Sequence, residues 1–345
     1  MASHDAFIAF SDCHQINHLS PVVATPSTER IGACRRQVGW FRANESRSLH
    51  RGVVRHDGWG APVKTAPAKI SVIVSTYNSP VFLEMVLRSL ARQHLDGHTA
   101  YEVVVADDGS GGETRALIER LRPEMPCPLL HAWQPDTGFR LAESRNNALL
   151  QASGDYVVFM DGDCMVLPDF IATHARLAER GWFVAGARCY IKQGQTRKML
   201  ADPLAWTRPG RLAWFARALL GGANRPFQLI SLPGNWRRHR HPDRWQRVQT
   251  CNLAVWRDDI DRVDGFDATY VGHGLEDSDF TLRLLRAGLR RKSGRFASVV
   301  LHLWHPRPTG TRSPNVERFE ALVASDRQRP VIGISHLTPA DKEIA

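Results

Sequence analysis

The sequence predicts an α/β fold, in which a mainly parallel central sheet is flanked by helices. The first observation is a regular alternation of β-branched apolar runs with helical segments, which begins at Ile70. Such alternation is typical of a parallel sheet covered on both faces. The second is that acidic pairs beginning at Asp107 and Asp161 follow two predicted strands, at the edge where such sheets bind ligands. The third is an ordinary globular composition, 43% hydrophobic and 23% charged.

Each element is predicted from its local pattern, taken in chain order. Strands are predicted from short apolar runs, and helices from apolar residues at helical spacing or from Gly and Pro boundaries. The predicted strands are Ile70–Ser75, Tyr101–Ala106, Leu129–Trp133, Tyr156–Met160, Thr250–Arg257 and Val299–Pro306. The predicted helices are Pro80–Gln93, Glu113–Leu121, Leu141–Ala152, Arg211–Leu220 and Phe280–Ala287.

The chain divides into three parts by composition. Residues 1–66 show no sustained periodicity and end in a Pro- and Ala-rich stretch, so we expect an N-terminal extension and linker. Residues 67–310 form the predicted domain, and residues 311–345 form a C-terminal tail. No apolar run reaches the roughly 18 residues of a membrane helix, and no signal peptide is evident. We therefore expect a cytoplasmic protein whose six cysteines are reduced.

The charge balance restricts the class of partner. The formal net charge of +10 favours anionic ligands, including phosphorylated molecules and an anionic membrane surface. No nucleic-acid-binding motif accompanies this charge, so we expect no nucleic-acid partner. The first strand is not followed by the glycine-rich signature of a dinucleotide site or of a P-loop. We therefore do not expect a dinucleotide dehydrogenase or a P-loop phosphotransferase.

The segment Asp161-Gly162-Asp163 is the most informative motif of the chain. It follows a buried-strand pattern, and alternate residues of an extended chain share one face, so both carboxylates can serve one site. Two oxygen ligands so placed suit Mg²⁺ or Mn²⁺ bound to a diphosphate. Asp-Gly-Asp is also common in turns without any ligand, and the motif alone leaves that alternative open.

Four segments follow one another along the chain, and they are Ser71–Asn78, Val103–Ser110, Arg145–Ala148 and Asp161–Asp163. In their order and spacing they resemble the motifs of family 2 nucleotide-sugar glycosyltransferases, which have the GT-A fold. The resemblance implies a UDP-sugar donor, with a uracil N3–H donating to one carboxylate of the pair Asp107 and Asp108. Arg140 and Arg145 are implied to reach the diphosphate or ribose, or one of them forms an ordinary ion pair. The donor-binding residues so implied are Thr76, Tyr77, Asn78, Asp107, Asp108, Arg140, Arg145, Asp161 and Gly162.

The segment Gly272–Asp279 resembles the acceptor-binding part of galactosyl- and N-acetylgalactosaminyltransferases. The resemblance implies that Asp277 is the catalytic base and that Glu276 binds the acceptor. Leu275 stands where that pattern has a second glycine, which is a departure from the family. An aspartate base that activates the acceptor hydroxyl implies one displacement and inversion at the anomeric carbon.

A histidine near the last predicted strand is implied to complete the metal site. His305 is favoured because it follows Trp304, and His302 is the alternative. An imidazole together with Asp161 and Asp163 suits Mn²⁺, with Mg²⁺ as the other candidate.

Residues 199–248 form an insert rich in Arg and Trp. One interpretation is a surface for an anionic or membrane-embedded acceptor, because Arg and Trp favour the headgroup region. The other is that the aromatic residues pack onto the core and the arginines are solvated. The tryptophans are Trp206, Trp214, Trp236 and Trp245, and the arginines assigned to the acceptor surface are Arg237, Arg238, Arg240 and Arg244.

The sequence thus predicts an inverting, metal-dependent glycosyltransferase. It would move a hexose or N-acetylhexosamine from a UDP-sugar to a cell-surface glycan or glycolipid of the lipopolysaccharide or capsule type, at the inner face of a membrane. Two alternatives remain: a nucleotidylyltransferase of similar fold, and an inert glycan-binding protein. The first lacks its expected glycine-rich loop, and the second leaves the acidic and histidine set without a role.

Overall fold

The computed structural model describes residues 66–232, 237–306 and 315–337. The predicted extension over residues 1–66 therefore lies outside the described residues except for Ala66, and so does Trp236 of the insert. Within these described ranges, no helix combines the length and the apolar character that a membrane crossing requires.

Strands and helices alternate through the first half of the fold, and helices are concentrated in the insert and near the C-terminal end. The strands are β1 (Lys69–Thr76), β2 (Ala100–Asp107), β3 (Leu129–Trp133), β4 (Tyr156–Asp161), β5 (Cys164–Val166), β6 (Trp182–Ala185), β7 (Ala187–Tyr190), β8 (Leu253–Trp256), β9 (Arg290–Ser293) and β10 (Val299–His302). The helices are α1 (Pro80–Leu90), α2 (Gly112–Leu121), α3 (Leu141–Gln151), α4 (Phe170–Leu177), α5 (Gln193–Ala201), α6 (Pro203–Thr207), α7 (Arg211–Leu219), α8 (Arg257–Arg262), α9 (Glu276–Arg286) and α10 (Val316–Val323).

The central sheet has seven strands in the order β3-β2-β1-β4-β8-β6-β9. Strands β3, β2, β1 and β4 are parallel, β8 is antiparallel to both neighbours, and β6 and β9 are parallel to each other. The prediction of a mainly parallel central sheet is confirmed. The register pairs Thr76 with Asp107 and Ser75 with Asp161, so the candidate donor and metal residues meet at the carboxyl edge of the sheet.

Alternate residues of the central strands enter hydrophobic clusters on opposite faces of the sheet. In β1, Val72 and Val74 pack into one cluster while Ile73 packs into the other, and all three are fully buried. This is the period-two alternation of a strand, and burial of each such side chain contributes about 1.5–3 kcal/mol. The two clusters hold the sheet rigidly between helices and so fix the positions of its edge residues.

A second sheet of three strands, in the order β5-β10-β7, lies where the chain leaves the central sheet. Strand β10 runs antiparallel to β5, with His302 opposite Cys164, and parallel to β7, with His302 beside Tyr190. This sheet brings the C-terminal histidines to the turn that contains Asp163.

Several predicted boundaries differ from the structure. The helix expected from Phe280 begins at Glu276, so the acidic residues lie within its first turn. The strand expected from Thr250 begins at Leu253, because a 3-10 turn at Thr250–Asn252 points toward α9. The last strand ends at His302, after which the Leu303 N–H donates to the Asp163 carbonyl at 2.9 Å. The first predicted helix ends at Leu90, three residues early.

Candidate active site

The two carboxylates of the Asp-Gly-Asp motif are brought together by a turn, not by the extended strand that the alternation predicted. Strand β4 ends at Asp161, and the Gly162 N–H donates to the Ser75 carbonyl at 2.7 Å. A Cβ at Gly162 would lie 2.8 Å from the Ser75 carbonyl oxygen, so only glycine fits this close approach. Oxygen atoms of Asp161 and Asp163 lie within 4.8 Å of each other, and both residues are buried.

Both candidate histidines face Asp163. The Asp163 Oδ2 atom is 3.1 Å from His305 Nε2 and 3.5 Å from His302 Nε2, and the ligand atoms of this trio all lie within 4.8 Å of one another. The His305 Nδ1 atom lies 2.9 Å from the Pro306 carbonyl, a contact in which the ring N–H donates. The backbone carbonyl thus holds Nδ1 and leaves Nε2 as the ring nitrogen that faces Asp163, which is the orientation typical of a metal-binding imidazole.

The charges of this cluster fit a divalent cation. Burial raises the pKa of Asp161, and the nearby Cys251 and Asp163 raise it further. Burial also raises the pKa of Asp163, but His302 and His305 outweigh it, so the pKa of Asp163 is lowered overall. Two carboxylates and two imidazoles, all buried, are a donor set that Mn²⁺ accepts. The residues therefore fit the metal that the resemblance implies.

Asp277 lies in the first turn of α9, with its carboxylate held from two sides. The Thr250 hydroxyl donates to Asp277 Oδ1 at 2.5 Å, and the Thr250 N–H donates to Oδ2 at 3.3 Å. The Arg145 Nη1 atom is 3.4 Å from Asp277 Oδ1 and 3.4 Å from Glu276 Oε1. Its Nη2 atom is 3.5 Å from Asp161 Oδ1. Arg145 therefore joins the metal side of the site to the candidate base.

A cavity lies between Arg145, Asp161 and Asp277, and both the N-terminal and the C-terminal half of the fold contribute residues to its lining. Burial raises the pKa of Glu276 to about 7, with Asp277 adding to the shift and Arg145 opposing it. Burial therefore favours the protonated form of Glu276, which can donate a hydrogen bond as well as accept one. The lining residues that bear on the chemistry are Arg145, Asp161, Arg188, Thr250, Glu276 and Asp277.

Leu275 keeps the backbone conformation that a glycine would favour at this position. Its φ is 75°, in the left-handed region, which for a residue with a Cβ costs about 1–2 kcal/mol. Its side chain is buried in a cluster with Leu282 of α9 and with Phe319 and Leu322 of α10. The replacement of the family's glycine by Leu275 therefore leaves the backbone conformation of the turn before Glu276 unchanged. It also gives residues of the predicted tail a packing role.

Asp279, the third carboxylate of this segment, is structural. It is fully buried, and its Oδ1 atom accepts from Arg283 Nε at 2.6 Å. The same guanidinium donates from Nη1 to the Val263 and Gly265 carbonyls. Arg283 thus ties α9 to the loop before it, and Asp279 neutralises the buried arginine.

We expect Asp279→Asn to destabilise the fold strongly. Removing one partner of a buried ion pair leaves an uncompensated charge and costs roughly 3–5 kcal/mol. Thermal or urea unfolding measures the loss. The matched control is Asp258→Asn, because the Asp258 side chain is 81% exposed in its pair with Arg180 and the change should be close to neutral. Equal stability of both variants would contradict the structural role of Asp279.

The predicted donor residues Asp107 and Asp108 lie together at the sheet edge, each with internal partners. Asp107 contacts His131 Nε2 at 2.8 Å through Oδ2 and accepts from the Ser110 N–H at 2.8 Å through Oδ1. Asp108 accepts from Gln134 Nε2 at 2.6 Å and from the Arg140 N–H at 2.7 Å. Burial raises the pKa of Asp108 to about 6. These contacts orient both carboxylates before any ligand binds.

The loop Thr76–Asn78 is tied to the same loops by hydrogen bonds. The Tyr77 hydroxyl donates to Asp136 at 2.8 Å, and the Asn78 side chain accepts from the Gly111 N–H at 2.9 Å. The Arg140 guanidinium has local partners, Glu143 at 2.9 Å and the Pro135 carbonyl at 2.7 Å, as the ion-pair alternative predicted. Thr76 and Asn78 therefore lie in one cluster of loops with Asp107 and Asp108 at the carboxyl edge of the sheet, and none of these four residues lines the cavity.

A family model matches the first half of the described fold. The model described as glycosyl transferase family 2 matches residues 71–229. This part of the chain is therefore similar to that family. A second model, described as the N-terminal domain of galactosyltransferase, matches residues 236–319 and so covers the segment that contains Glu276 and Asp277. The first match contains the four segments that resemble family 2, and the second contains the segment Gly272–Asp279.

The chain is also similar to proteins named as glycosyltransferases. It is 27% identical over 266 residues to the validoxylamine A glucosyltransferase of Streptomyces hygroscopicus subsp. limoneus, covering 74% of this chain and 54% of the relative. It is 35% identical over 266 residues to the uncharacterized glycosyltransferase YfnE of Bacillus subtilis (strain 168), covering 69% and 65%. The chain thus spans about half the length of the first of these relatives.

A solved structure shares the fold of this chain. It is Staphylococcus aureus TarS, residues 1–349, in complex with UDP-GlcNAc, at a TM-score of 0.51. The identity is 17%, and the match covers 78% of this chain and 69% of TarS 1–349. The match confirms the predicted GT-A fold.

Two residues of the cavity were not predicted as site residues. Thr250 holds Asp277, as described above. Arg188 on β7 is 6% exposed, lines the cavity and contacts the Tyr190 hydroxyl at 2.5 Å through Nη2. In the sequence, Arg188 is visible only as an arginine within a short apolar run. No motif around it indicates a binding role. Only the second sheet, which sets β7 beside β10, brings Arg188 to the cavity.

The insert contains both packing and exposed residues. Trp214 is buried and contacts Trp206, and the Arg217 guanidinium lies 5.0 Å from the centre of the Trp206 ring. The expectation that Arg238 belongs to an acceptor surface is wrong. It is 3% exposed, and its guanidinium donates to three carbonyls, those of Leu232, Ser293 and Arg295, because it ties the insert to the core. Arg237, Arg240 and Arg244 are exposed.

Proposed function

We propose that this chain is an inverting, metal-dependent glycosyltransferase. It would move a hexose or N-acetylhexosamine from a UDP-sugar to a hydroxyl of a glycan or glycolipid acceptor. The observation that carries the proposal is the link through Arg145, which contacts Asp161 on the metal side and Asp277 on the base side of one cavity. A donor and an acceptor held on these two sides face each other.

In the proposed reaction, Asp277 Oδ accepts the proton of the acceptor hydroxyl while that oxygen attacks the anomeric carbon. The Thr250 and Arg145 contacts orient the carboxylate toward the cavity. Attack from the face opposite the nucleotide inverts the anomeric centre, so an α-linked donor yields a β-linked product. Glu276 binds an acceptor hydroxyl, a role that a carboxyl with a pKa of about 7 can perform as donor or acceptor.

Asp163, His302 and His305 would hold the divalent ion together with Asp161, whose ligand oxygen lies within 4.8 Å of that of Asp163. Mn²⁺ is preferred over Mg²⁺ because two of these ligands are imidazoles. When bound, the ion would neutralise charge on the leaving diphosphate. The Thr76–Asn78 loop, Asp107 and Asp108 would bind the uridine, and Gly162 would allow the tight turn that places Asp161 and Asp163 near the diphosphate.

The acceptor class is proposed as a cell-surface glycan or glycolipid, of the lipopolysaccharide or capsule type, with the protein acting at the inner face of a membrane. The name of the validoxylamine A glucosyltransferase supports transfer of a hexose. The net charge of +10 supports an anionic donor and an anionic acceptor environment.

A donor screen tests the proposal. The full chain is incubated with Mn²⁺, each UDP-hexose and UDP-N-acetylhexosamine, and a panel of glycan acceptors, and UDP release and product are measured. We expect one donor to give UDP and a β-linked product by NMR. Release of pyrophosphate from a nucleoside triphosphate and a sugar phosphate would favour the nucleotidylyltransferase. Glycan binding without turnover of any donor would favour the inert alternative.

A further inference from the structure

The insert presents a group of apolar side chains to solvent. We propose that this group, with the basic residues around it, docks on an anionic lipid bilayer. We call it the insert surface. Exposed apolar residues clustered in one segment mark interaction sites, whereas scattered ones need no explanation. The insert surface consists of Leu204 (44% exposed), Leu212 (80%), Leu219 (57%), Leu220 (88%), Phe227 (62%) and Ile230 (38%).

Helix α7 is apolar on two sides, and only one of them faces the core. Trp214 and Ala218 are buried in the cluster that packs on the second sheet. Leu212 and Leu219 project from the same helix into solvent, and Leu220 follows directly. Folding does not require these exposed leucines, because the buried side already anchors the helix. A partner that removes them from water would gain free energy in proportion to their area.

The charge of the same segment favours an anionic bilayer over another protein surface. Residues 192–230 contain seven Lys and Arg residues and one Asp. Basic residues beside exposed leucines are typical of segments that lie at the headgroup boundary, where each Lys or Arg contributes about 1 kcal/mol on anionic lipid. The exposed basic residues of the segment are Lys192, Arg197, Lys198, Arg208 and Arg225.

The insert surface is connected directly to the strands of the metal site. The segment that leads into the insert leaves the second sheet after β7, and its Ile191 pairs with Ala223 of the insert. The Ile191 N–H donates to the His302 carbonyl at 2.8 Å, and the Trp304 N–H donates to the Thr196 hydroxyl at 2.9 Å. Docking would therefore bring the cavity close to the bilayer. The benefit of this proximity, a short path for a lipid-linked acceptor to the site, rests on the proposed function. The docking itself does not rest on the proposed function.

Co-sedimentation with vesicles tests the docking. The full chain is mixed with phosphatidylcholine vesicles, with and without phosphatidylglycerol, at low and high salt and without any donor or metal. We expect binding to the anionic vesicles that weakens as salt screens the basic residues. The triple variant L212S/L219S/L220S should bind roughly tenfold or more weakly. The matched control is V81S/L95S/V331S, which changes three apolar residues with 44–54% exposure outside the insert and should bind as the wild type.

The outcomes separate the possible occupants of the insert surface. Equal vesicle binding by the triple variant and the wild type would overturn the proposal. So would equal binding of the wild type to vesicles with and without phosphatidylglycerol. The wild type could instead fail to bind vesicles and form a dimer in sedimentation velocity, while the triple variant stays a monomer. That result would assign the surface to a second copy of the chain. Circular dichroism and thermal unfolding establish that both triple variants fold. Because no sugar transfer is measured, failure of the proposed function would leave this result unchanged.

Discussion

Asp163→Ala is expected to abolish turnover of the UDP-sugar and to remove tight Mn²⁺ binding, while the fold is retained. Asp163 is the residue that both histidines contact, with His305 Nε2 at 3.1 Å and His302 Nε2 at 3.5 Å. Without it, two imidazoles face each other with no shared anionic partner. A bound metal stabilises a departing diphosphate by several kcal/mol, which corresponds to a loss of roughly three orders of magnitude in kcat.

The measurement combines Mn²⁺ titration, followed by electron paramagnetic resonance or calorimetry, with steady-state kinetics. Asp258→Asn serves as the control, since it removes a carboxylate at the surface. Alanine substitutions at His302 and His305 should each weaken Mn²⁺ affinity, because both rings face the same carboxylate. A folded Asp163→Ala enzyme that retained full activity in the presence of EDTA would refute the metal assignment.

The elements of the central sheet could be predicted because their signals are local. Both predicted ends of the strand Leu129–Trp133 are correct, and each predicted end of β1, β2 and β4 lies within one residue of the observed end. Apolar runs with clear Gly, Pro and Asp boundaries leave few alternatives. The prediction failed where distant contacts decide. Helix α9 begins at Glu276 because Leu275 adopts a positive φ stabilised by packing against α10, and that contact crosses some forty residues of sequence.

The candidate site could be predicted in its residue types but not in its connections. Asp161, Asp163 and Asp277 belong to motifs, and motifs are visible in one sequence. That Arg145 of α3 reaches both Asp161 and Asp277 depends on its contact with the first turn of α9, more than a hundred residues away in the sequence. Arg188 enters the cavity only through a strand order that skips from β7 to β10. Such non-local pairings carry no periodic signal.

Asp277→Asn is expected to lower kcat by about 10²–10⁴-fold, because a positioned base is lost while the shape of the side chain is kept. The asparagine oxygen still accepts from the Thr250 hydroxyl, so the side chain should remain in place. The KM for the UDP-sugar should change little, since Asp277 acts on the acceptor side. Steady-state kinetics with both substrates varied measures the two effects separately.

Glu276→Gln provides the matched comparison, because it removes a neighbouring carboxylate of the same turn that contacts the same Arg145 nitrogen. If Asp277 is the base and Glu276 binds the acceptor, Asp277→Asn lowers kcat most, and Glu276→Gln raises the KM of the acceptor most. NMR of the wild-type product should show a β-linkage from the α-linked donor. An α-linked product, or near-normal kcat in Asp277→Asn with the large loss in Glu276→Gln, would transfer the role of base away from Asp277.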